Sequence, residues 1–290
     1  MVTIHAPATS ANLGPGFDAL GLALDLYDDV TATLTDTPGV TVEVTGEGAD
    51  QVPTDESHLI VRAMYATFDD LGHPRPAGLA LTCVNRIPHA RGLGSSSAAI
   101  VAGVLAARAL AGAPDDRVEA LRLADQLEGH PDNVAPCLLG GFTIAWTGAE
   151  GARAVSVAPH PAIQPVIFVP QDRGLTKEAR AALPQTVPHV DASFNAGRSA
   201  LLVHALTRAP ELLFAATEDR LHQGYRAAGA PATAELVADL RSRGVPAVVS
   251  GAGPSVLAFV PDNGVIPDIT GHNFASWPLR VDTTGARISH

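Results

Sequence analysis

The sequence predicts a mixed α/β protein that is built from two units. Short runs of alternating or β-branched residues, which are typical of strands, recur between longer segments with helical periodicity. After Trp146 the pattern begins again with a second set of strands and helices. The chain has 290 residues, of which 46% are hydrophobic, and this is enough for one large core or two packed ones.

In the first unit we predict five strands and three helices. The strands are short and bounded by turn residues, whereas the helical segments carry apolar residues at a spacing of three and four. The predicted strands are VTIHA, DDVTATLT, GVTVEVTG, GLALTCVNRI and FTIAW, and the predicted helices span 59–71, 97–111 and 116–128.

The second unit is predicted to begin near residue 153, so that the chain divides into residues 1–152 and 153–290. Its predicted strands are RAVSVAP, QPVIFVP, PAVVSG and SVLAFV, and its predicted helices lie near 175–183, 193–208, 210–222 and 231–243. The sequence contains no repeat, low-complexity run or long charged tract, which gives little support to a role as a flexible scaffold.

The charge of the chain bears on its partners. A formal net charge of -11 and a pI near 5.3 argue against a nucleic-acid surface, because such a surface needs clustered Lys and Arg. An anionic substrate would therefore have to be bound by a few local arginines and by backbone N–H groups at helix starts.

Composition also indicates the compartment. No segment approaches the roughly 18 consecutive apolar residues of a membrane span, and the first residues do not resemble a signal peptide, so we expect a cytoplasmic protein without a membrane anchor. Cys83 and Cys137 are too few and too distant in sequence for a disulfide framework or a CxxC metal site, which agrees with a reducing compartment.

The segment PHARGLGSSSA, residues 88–98, predicts a phosphate site. A strand, a glycine-rich turn and a helix start follow one another here, and this arrangement presents unpaired N–H groups and the positive end of the helix dipole to a ligand. Lys177 is the only lysine of the chain, so a P-loop lysine is excluded and the loop would have to act through backbone and hydroxyl groups. The alternative is a structural helix that serine caps.

Four motifs in register carry a family resemblance. They read APATSANLGPGFDALGLAL, PHARGLGSSSAA, EGHPDNVAPCLLGG and SGAGPSVLAF, and in order and spacing they resemble the GHMP small-molecule kinases and, among these, the homoserine kinases. The resemblance implies an α+β fold with two domains, one similar to domain 2 of ribosomal protein S5 and a ferredoxin-like C-terminal one. It also implies transfer of the γ-phosphoryl group of ATP, with Mg²⁺, to the side-chain hydroxyl of L-homoserine, and a homodimer.

By this resemblance, two glycine-rich turns would bind the nucleotide, with Ser96 and Glu128 as candidate Mg²⁺ ligands. The second turn, SGAGPS, has the alternative of an ordinary turn between two strands. The expected nucleotide-binding residues are Pro88, Arg91, Gly92, Leu93, Gly94, Ser95, Ser96, Ser97, Gly251, Gly253 and Ser255.

The substrate carries an ammonium, a carboxylate and a hydroxyl group, and the resemblance assigns residues to each. Asp18 suits the ammonium, and a planar guanidinium suits the carboxylate because it donates two parallel hydrogen bonds. Asp132 and Asn133 are the candidate catalytic residues, with Asp132 as the candidate acceptor of the hydroxyl proton. The expected substrate-binding residues are Asn12, Asp18, His130, Thr176, Arg180 and Arg226. Without the resemblance, turn-forming and solvent-facing roles would be the ordinary interpretation of these residues.

One position departs from the family pattern. Gln126 stands where the resemblance leads us to expect a carboxylate, and an amide is a poorer ligand for Mg²⁺ than a carboxylate. Two alternatives therefore stand beside a homoserine kinase: a GHMP kinase for another small alcohol, and a weakly active or non-catalytic ligand-binding protein.

Overall fold

The computed structural model, which describes residues 1–174, 176–260 and 264–289, contains two β-sheets and confirms the mixed α/β prediction. The strands are β1 (Val2–Ala11), β2 (Leu20–Leu34), β3 (Gly39–Gly46), β4 (Gly78–Asn85), β5 (Phe142–Gly148), β6 (Gly151–Val157), β7 (Gln164–Pro170), β8 (Ala247–Val249), β9 (Val256–Val260), β10 (Phe274–Pro278) and β11 (Arg287–Ser289). The helices are α1 (Leu59–Asp70), α2 (Ser95–Leu110), α3 (Arg117–Glu128), α4 (Pro131–Leu139), α5 (Thr176–Ala181), α6 (His189–Thr207), α7 (Leu213–Ala216), α8 (Gln223–Arg226) and α9 (Pro231–Ser242).

The larger sheet has the order β11-β1-β2-β4-β3, and β5 and β6 extend it beside the start of β2. Strands β3 and β4 are parallel, and the other pairs are antiparallel. The long strand β2 changes partner along its length, because residues 20–22 pair with β5 and residues 29–34 pair with β4. The turn between β1 and β2 therefore lies at the end of the sheet where β2 pairs with β5, and the candidate active site described below is at this end.

Helix α2 fixes the position of the glycine-serine loop that precedes it. It is rich in alanine, is buried along most of its length, and packs on β1 and against α1 and α3. Gly103 allows the close approach of α1, since a Cβ atom at this position would lie 2.7 Å from the carbonyl oxygen of Ile60. The start of α2 is therefore held by a close-packed core.

The smaller sheet has the order β10-β7-β9-β8 and is antiparallel, as expected of a ferredoxin-like domain. Both of its faces are covered. Val166 and Phe168 of β7 pack in a small cluster with Leu236 and Leu240 of α9, while Ile167 joins the large core. Burial on both faces explains why the strand sequences are continuously apolar and do not alternate.

The predicted division of the chain near residue 153 stays a prediction. Strand pairing joins residues from both sides of this position. Strand β6 pairs with β5 in the larger sheet, and β11 returns from the second half of the chain to pair with β1. Among the described residues no helix has both the length and the apolar character of a membrane span.

The prediction of one helix over 210–222 is wrong. The chain forms a short 3₁₀ turn over Pro210–Leu212 and the short helix α7, and after an irregular segment α8 begins at Gln223. The carboxylate of Asp219 accepts hydrogen bonds from the backbone N–H groups of Leu221, His222 and Gln223, and this side-chain capping competes with a continuous helix. Helix α4 and the strands β10 and β11 are not among the elements predicted from sequence.

Candidate active site

A cavity of about 330 Å³ opens where the glycine-serine loop meets the turn between β1 and β2. Its wall brings together residues from all four motifs, and from α5 and α8. The expected site residues that line it are Asn12, Asp18, Pro88, Arg91, Gly92, Leu93, Gly94, Ser95, Ser96, Glu128, His130, Asp132, Asn133, Arg180, Arg226 and Gly251. Ser97, Gly253 and Ser255 are not among the lining residues, and the side chain of Thr176 lies outside the described part of the chain.

The N-terminus of α2 faces this cavity without a side-chain cap. Its N-cap residue is Gly94 in the left-handed conformation, and no side chain of the described residues accepts from the first turn at this position. The alternative interpretation of the serines as helix caps is therefore wrong. The backbone N–H groups of Ser95 to Ser97 have no partner within the helix, as at every helix start, and they add to the positive end of the dipole.

Glycine is required in this loop because the backbone passes close to two other segments. A Cβ atom at Gly94 would lie 1.9 Å from Oγ1 of Thr9, and one at Gly92 would lie 2.2 Å from the carbonyl oxygen of Ser250. Both glycines also have positive φ, 71° and 69° for Gly92 and Gly94. The loop can thus reach its position only with hydrogen as the side chain.

The second glycine-rich turn is hydrogen-bonded to the first. The hydroxyl of Ser250 donates to the carbonyl oxygen of Gly92 at 2.6 Å, and the backbone N–H of Ser255 donates to the carbonyl oxygen of Arg91 at 3.3 Å. Gly251 lines the cavity, whereas Gly253 packs its carbonyl against Gly92. The structure thus brings the two predicted turns together and places one face of the second turn in the cavity.

Hydroxyl and carboxylate oxygens meet at the start of α2. Ser96 and Ser97 both donate to Oε1 of Glu128, at 2.6 and 2.8 Å. Gln126 lies on the exposed side of α3, where its Oε1 accepts from Arg122 at 3.3 Å. Glu128 is therefore the α3 side chain that faces the loop, and the departure at Gln126 lies outside the cavity. No group of three or more His, Cys, Asp or Glu gathers as a metal site within the described ranges.

Asp132 and His130 are joined by a hydrogen bond in the wall of the cavity. Nδ1 of His130 lies 2.7 Å from Oδ1 of Asp132, and Asp132 is only 2% exposed. The hydrogen bond to Asp132 raises the pKa of His130, against the effect of burial. Asp132 lies in the first turn of α4, where the helix dipole stabilises a negative charge.

Asn133 is oriented by a residue that sequence reasoning missed. Its Oδ1 accepts from the hydroxyl of Thr9 at 2.8 Å, and Thr9 is fully buried at the end of β1. The available signal was the position of Thr9 inside the first motif, three residues before Asn12. The bond leaves Nδ2 of Asn133 as the donor that a ligand can use.

Asn12 uses its side chain to build the turn that carries Asp18. Its Nδ2 donates to the carbonyl oxygen of Gly251 at 2.9 Å, and its Oδ1 accepts from the backbone N–H of Asp18 at 3.0 Å. Asn12 and Asp18 both have positive φ, 67° and 55°, a conformation in which Asn and Asp are several-fold enriched. Asn12 therefore holds Asp18 in the cavity wall.

The two predicted arginines approach the site from different helices. Arg180 of α5 donates through both terminal nitrogens to Asp18, at 2.9 and 2.8 Å. Arg226 of α8 is buried, and its Nε donates to the carbonyl oxygen of Ala179 at 3.1 Å. Burial lowers the pKa of Arg226, and the nearby charge of Arg180 lowers it further. Both guanidinium groups lie over the ring of Phe17, at 5.6 and 5.4 Å from its centroid.

The cavity also has apolar lining residues that were not predicted in detail. Such side chains suit a flat, uncharged base, and two further lining residues are histidines whose pKa values are lowered by burial, His58 and His89. Asp28 also lines the cavity and accepts from the N–H groups of Arg86 and Ile87, at 2.6 and 2.9 Å. The apolar lining residues are Val30, Val52, Pro53, Leu59, Ile60, Ala98 and Ala99.

Comparison with known proteins identifies the family of the chain. Residues 58–141 match the family model described as GHMP kinases N terminal domain. The chain is 53% identical to homoserine kinase from Streptomyces avermitilis over 292 residues, which cover 99% of this chain and 95% of the relative. It is also 53% identical to homoserine kinase from Clavibacter michiganensis, with 99% and 93% coverage.

A solved structure shows the same fold over almost the whole length. Homoserine kinase from Cytophaga hutchinsonii superimposes with a TM-score of 0.86 at 27% identity, covering 99% of this chain and 97% of the other. The predicted α+β GHMP kinase fold is confirmed by this likeness. From the sequence identity over nearly its full length, the chain belongs to the homoserine kinase family within the GHMP kinases.

Proposed function

We propose that the chain catalyses the transfer of the γ-phosphoryl group of ATP to the side-chain hydroxyl of L-homoserine, with Mg²⁺, and thereby acts in threonine biosynthesis. One observation carries the choice of acceptor. A carboxylate, Asp18, and two guanidinium groups, Arg180 and Arg226, line the same cavity as the start of α2. An amino acid presents an ammonium and a carboxylate together, and these charges match the wall.

The loop at the start of α2 supports binding of the triphosphate. The capless helix start supplies N–H donors and a positive field, and the close backbone contacts at Gly92 and Gly94 hold these donors in place. The apolar residues that line the same cavity suit the adenine ring.

The oxygen donors at Ser96 and Glu128 fit a small, hard cation such as Mg²⁺. The two side chains supply one hydroxyl and one carboxylate, so the phosphates and water would have to complete the coordination. When bound, Mg²⁺ supplies charge neutralisation on the phosphate oxygens.

We assign Asp132 as the residue that accepts the proton of the acceptor hydroxyl. Its Oδ1 is occupied by His130, which leaves Oδ2 as the accepting oxygen. As the hydroxyl oxygen bonds to the γ-phosphorus, the bond from that phosphorus to the β–γ bridging oxygen breaks and ADP leaves. Phosphoryl transfer depends chiefly on alignment and charge compensation, so Asp132 and Asn133 also serve to orient the acceptor.

The test is ADP release from Mg²⁺-ATP with L-homoserine, L-serine, L-threonine or mevalonate as acceptor. We expect selective turnover with L-homoserine. Turnover with another alcohol would support a GHMP kinase of different specificity, whereas ATP binding without turnover would support the non-catalytic alternative.

A cytoplasmic location and a homodimer belong to the same proposal. ATP and a free amino acid are metabolites of the cytoplasm, and symmetric dimers are the commonest soluble oligomers. Light scattering with size-exclusion chromatography measures the second point directly, because a dimer would have twice the 29.8 kDa mass of the chain.

A further inference from the structure

His222 connects the two halves of the amino-acid site. It is fully buried and immediately precedes α8, four residues before Arg226. Its Nε2 lies 2.7 Å from the carbonyl oxygen of Gly14, and its Nδ1 lies 3.2 Å from Nη1 of Arg226. Gly14 belongs to the turn that carries Asp18, so one imidazole contacts both the acidic turn and the buried arginine.

The two contacts specify one protonation state of the ring. A carbonyl oxygen can only accept, so Nε2 of His222 must carry the proton. A guanidinium can only donate, so Nδ1 must be unprotonated. The neutral Nε2–H tautomer alone satisfies both partners.

The surroundings of His222 maintain this neutral form. Burial lowers the pKa of His222, and the charge of Arg226 adds to this effect, while Asp219, the hydrogen bond to Gly14 and Asp18 oppose it. Oδ2 of Asp219 lies 3.7 Å from Nε2 and is itself engaged with the backbone N–H groups of His222 and Gln223. The ring of Phe17 packs against the imidazole with a centroid distance of 5.1 Å.

Arg226 depends on this acceptor for its orientation. Its Nε donates to Ala179 and its Nη1 to His222, and a longer contact of 3.5 Å joins Nη1 to the carbonyl oxygen of Gly251. Its Nη2 donates to no atom in the part of the chain that the structure describes, although Arg226 lines the cavity. The bonds on Nε and Nη1 thus fix the guanidinium plane and leave Nη2 for a ligand.

We propose that His222 is a positioning residue for substrate recognition, which sets the guanidinium of Arg226 relative to the Gly14 turn that carries Asp18. The spacing between the group that takes the ammonium and the group that takes the carboxylate then follows from a single buried side chain. This inference rests on the proposed function, because it assigns those two groups to an amino-acid substrate.

Two substitutions separate the two hydrogen bonds of His222. In His222→Gln the side-chain amide can still donate to Gly14 but offers no acceptor at the Nδ1 position. In His222→Asn the carbonyl oxygen replaces Nδ1 as the acceptor for Arg226, and the bond to Gly14 is lost. We expect His222→Gln to raise KM for L-homoserine about tenfold, with kcat and KM for ATP nearly unchanged. His222→Asn keeps the acceptor for Arg226 but loses the bond to the Gly14 turn, so we expect it to raise KM for L-homoserine by a smaller factor than His222→Gln does, again with kcat and KM for ATP nearly unchanged.

A double-mutant cycle tests whether His222 acts through Arg226. If it does, His222→Gln should add little to the KM of Arg226→Ala, because the group that it positions is already gone. Equal losses in both His222 variants, in KM for L-homoserine, KM for ATP and melting temperature alike, would overturn the proposal and leave a structural histidine.

A spectroscopic measurement on the wild-type protein is independent of activity. The ¹⁵N shifts of the His222 imidazole should show a protonated Nε2 and an unprotonated Nδ1 at neutral pH. The opposite tautomer, or a doubly protonated ring, would contradict the positioning role. A wild-type protein that fails to use L-homoserine would instead refute the proposed function, so the two failures are distinguishable.

Discussion

Arg180 and Asp18, which are 162 residues apart in the sequence, form a bidentate ion pair with N–O distances of 2.9 and 2.8 Å. These are the groups proposed to take the carboxylate and the ammonium of the substrate, so in the absence of substrate they neutralise each other. Their side chains are 45% and 34% exposed, and pairs of this kind contribute about 1 kcal/mol or less. An amino-acid substrate can therefore replace this weak ion pair by two new ones, in which its ammonium pairs with Asp18 and its carboxylate with Arg180.

The two arginines should differ in their effect on KM. Arg226→Ala should cost about 1.5 to 3 kcal/mol in L-homoserine recognition, because a buried charged donor is lost, and KM should rise roughly 10- to 100-fold. Arg180→Ala should weaken L-homoserine recognition by a smaller free energy than Arg226→Ala, because removing Arg180 also frees Asp18 to bind the ammonium. Steady-state kinetics with L-homoserine varied measure both values, and KM for ATP is the control. An unchanged KM in both variants would remove the carboxylate assignment.

The Mg²⁺ assignment makes a prediction with a matched control on the same helix. Glu128→Gln and Ser96→Ala should raise the Mg²⁺ concentration needed for half-maximal rate by about 10- to 100-fold, because the first replaces a charged carboxylate by a poorer amide ligand and the second removes a hydroxyl oxygen. Gln126→Ala should leave it unchanged, since Gln126 points away from the cavity. The measurement is a Mg²⁺ titration at fixed ATP, and a response at Gln126 with none at Glu128 would reverse the assignment.

The prediction for the loop uses a pair of glycines that share one backbone conformation. Gly94 and Gly112 have φ of 69° and 67°, but a Cβ would meet Thr9 at 1.9 Å only at Gly94, and nothing within 4 Å at Gly112. Gly112→Ala should cost about 1 to 2 kcal/mol of unfolding free energy from backbone strain. Gly94→Ala should lower the unfolding free energy by about 1 to 3 kcal/mol more than Gly112→Ala does, because its methyl group would clash with Thr9. It should also weaken ATP binding. Denaturant unfolding and ATP titration measure the two effects, and similar behaviour of the two variants would show that the loop accommodates a methyl group.

The hydrogen bond between Asp132 and His130 predicts an effect on the pKa of His130 and an effect of Asp132 on the rate. Asp132→Asn should lower kcat about 100-fold with little change in KM, because the proton acceptor is lost. It should also lower the pKa of His130 toward its ordinary value, which NMR titration measures. Because the folded-state pKa of His130 is raised, the pair stabilises the protein fully below the ordinary histidine pKa and loses this effect as pH rises through the raised value. The stability difference between wild type and variant should therefore be larger at pH 6 than at pH 9.

Much of the site could be predicted from sequence because its chemistry lies in short contiguous motifs. Residues of the loop before α2 and three residues of the HPDN segment, His130, Asp132 and Asn133, line one cavity, and their roles there stay predictions. The uncertainty over Gln126 could also have been reduced, since residues two apart on a helix point in nearly opposite directions, so that Gln126 and Glu128 cannot both face the loop.

Other features depend on tertiary contacts that local patterns do not carry. Strand β11 has only three residues and exists because it pairs with β1 at the other end of the chain. Thr9 and His222 look like ordinary strand and helix residues in the sequence, and their roles follow from the hydrogen bonds that folding brings to them. Asp219 interrupts a helix that the residue pattern alone favours.

Asp28 gives the last prediction, which concerns stability and pH. Burial raises the pKa of Asp28 from 3.8 to about 6, although two backbone N–H groups oppose the shift. Between these pH values the folded state holds a proton that the unfolded state has released, so the stability due to this group is lost as pH rises through about 6. The difference between the pKa of Asp28 in the unfolded and folded states corresponds to a loss of roughly 3 kcal/mol of unfolding free energy at neutral pH.

Asp28→Asn keeps an oxygen that can accept from Arg86 and Ile87 but removes the buried charge. We expect the variant to be more stable than the wild type at pH 7.5 by up to about 3 kcal/mol and equally stable near pH 4, as measured by urea unfolding at both values. A variant that is less stable at both pH values would show that the carboxylate is needed in a way that its two backbone partners do not explain.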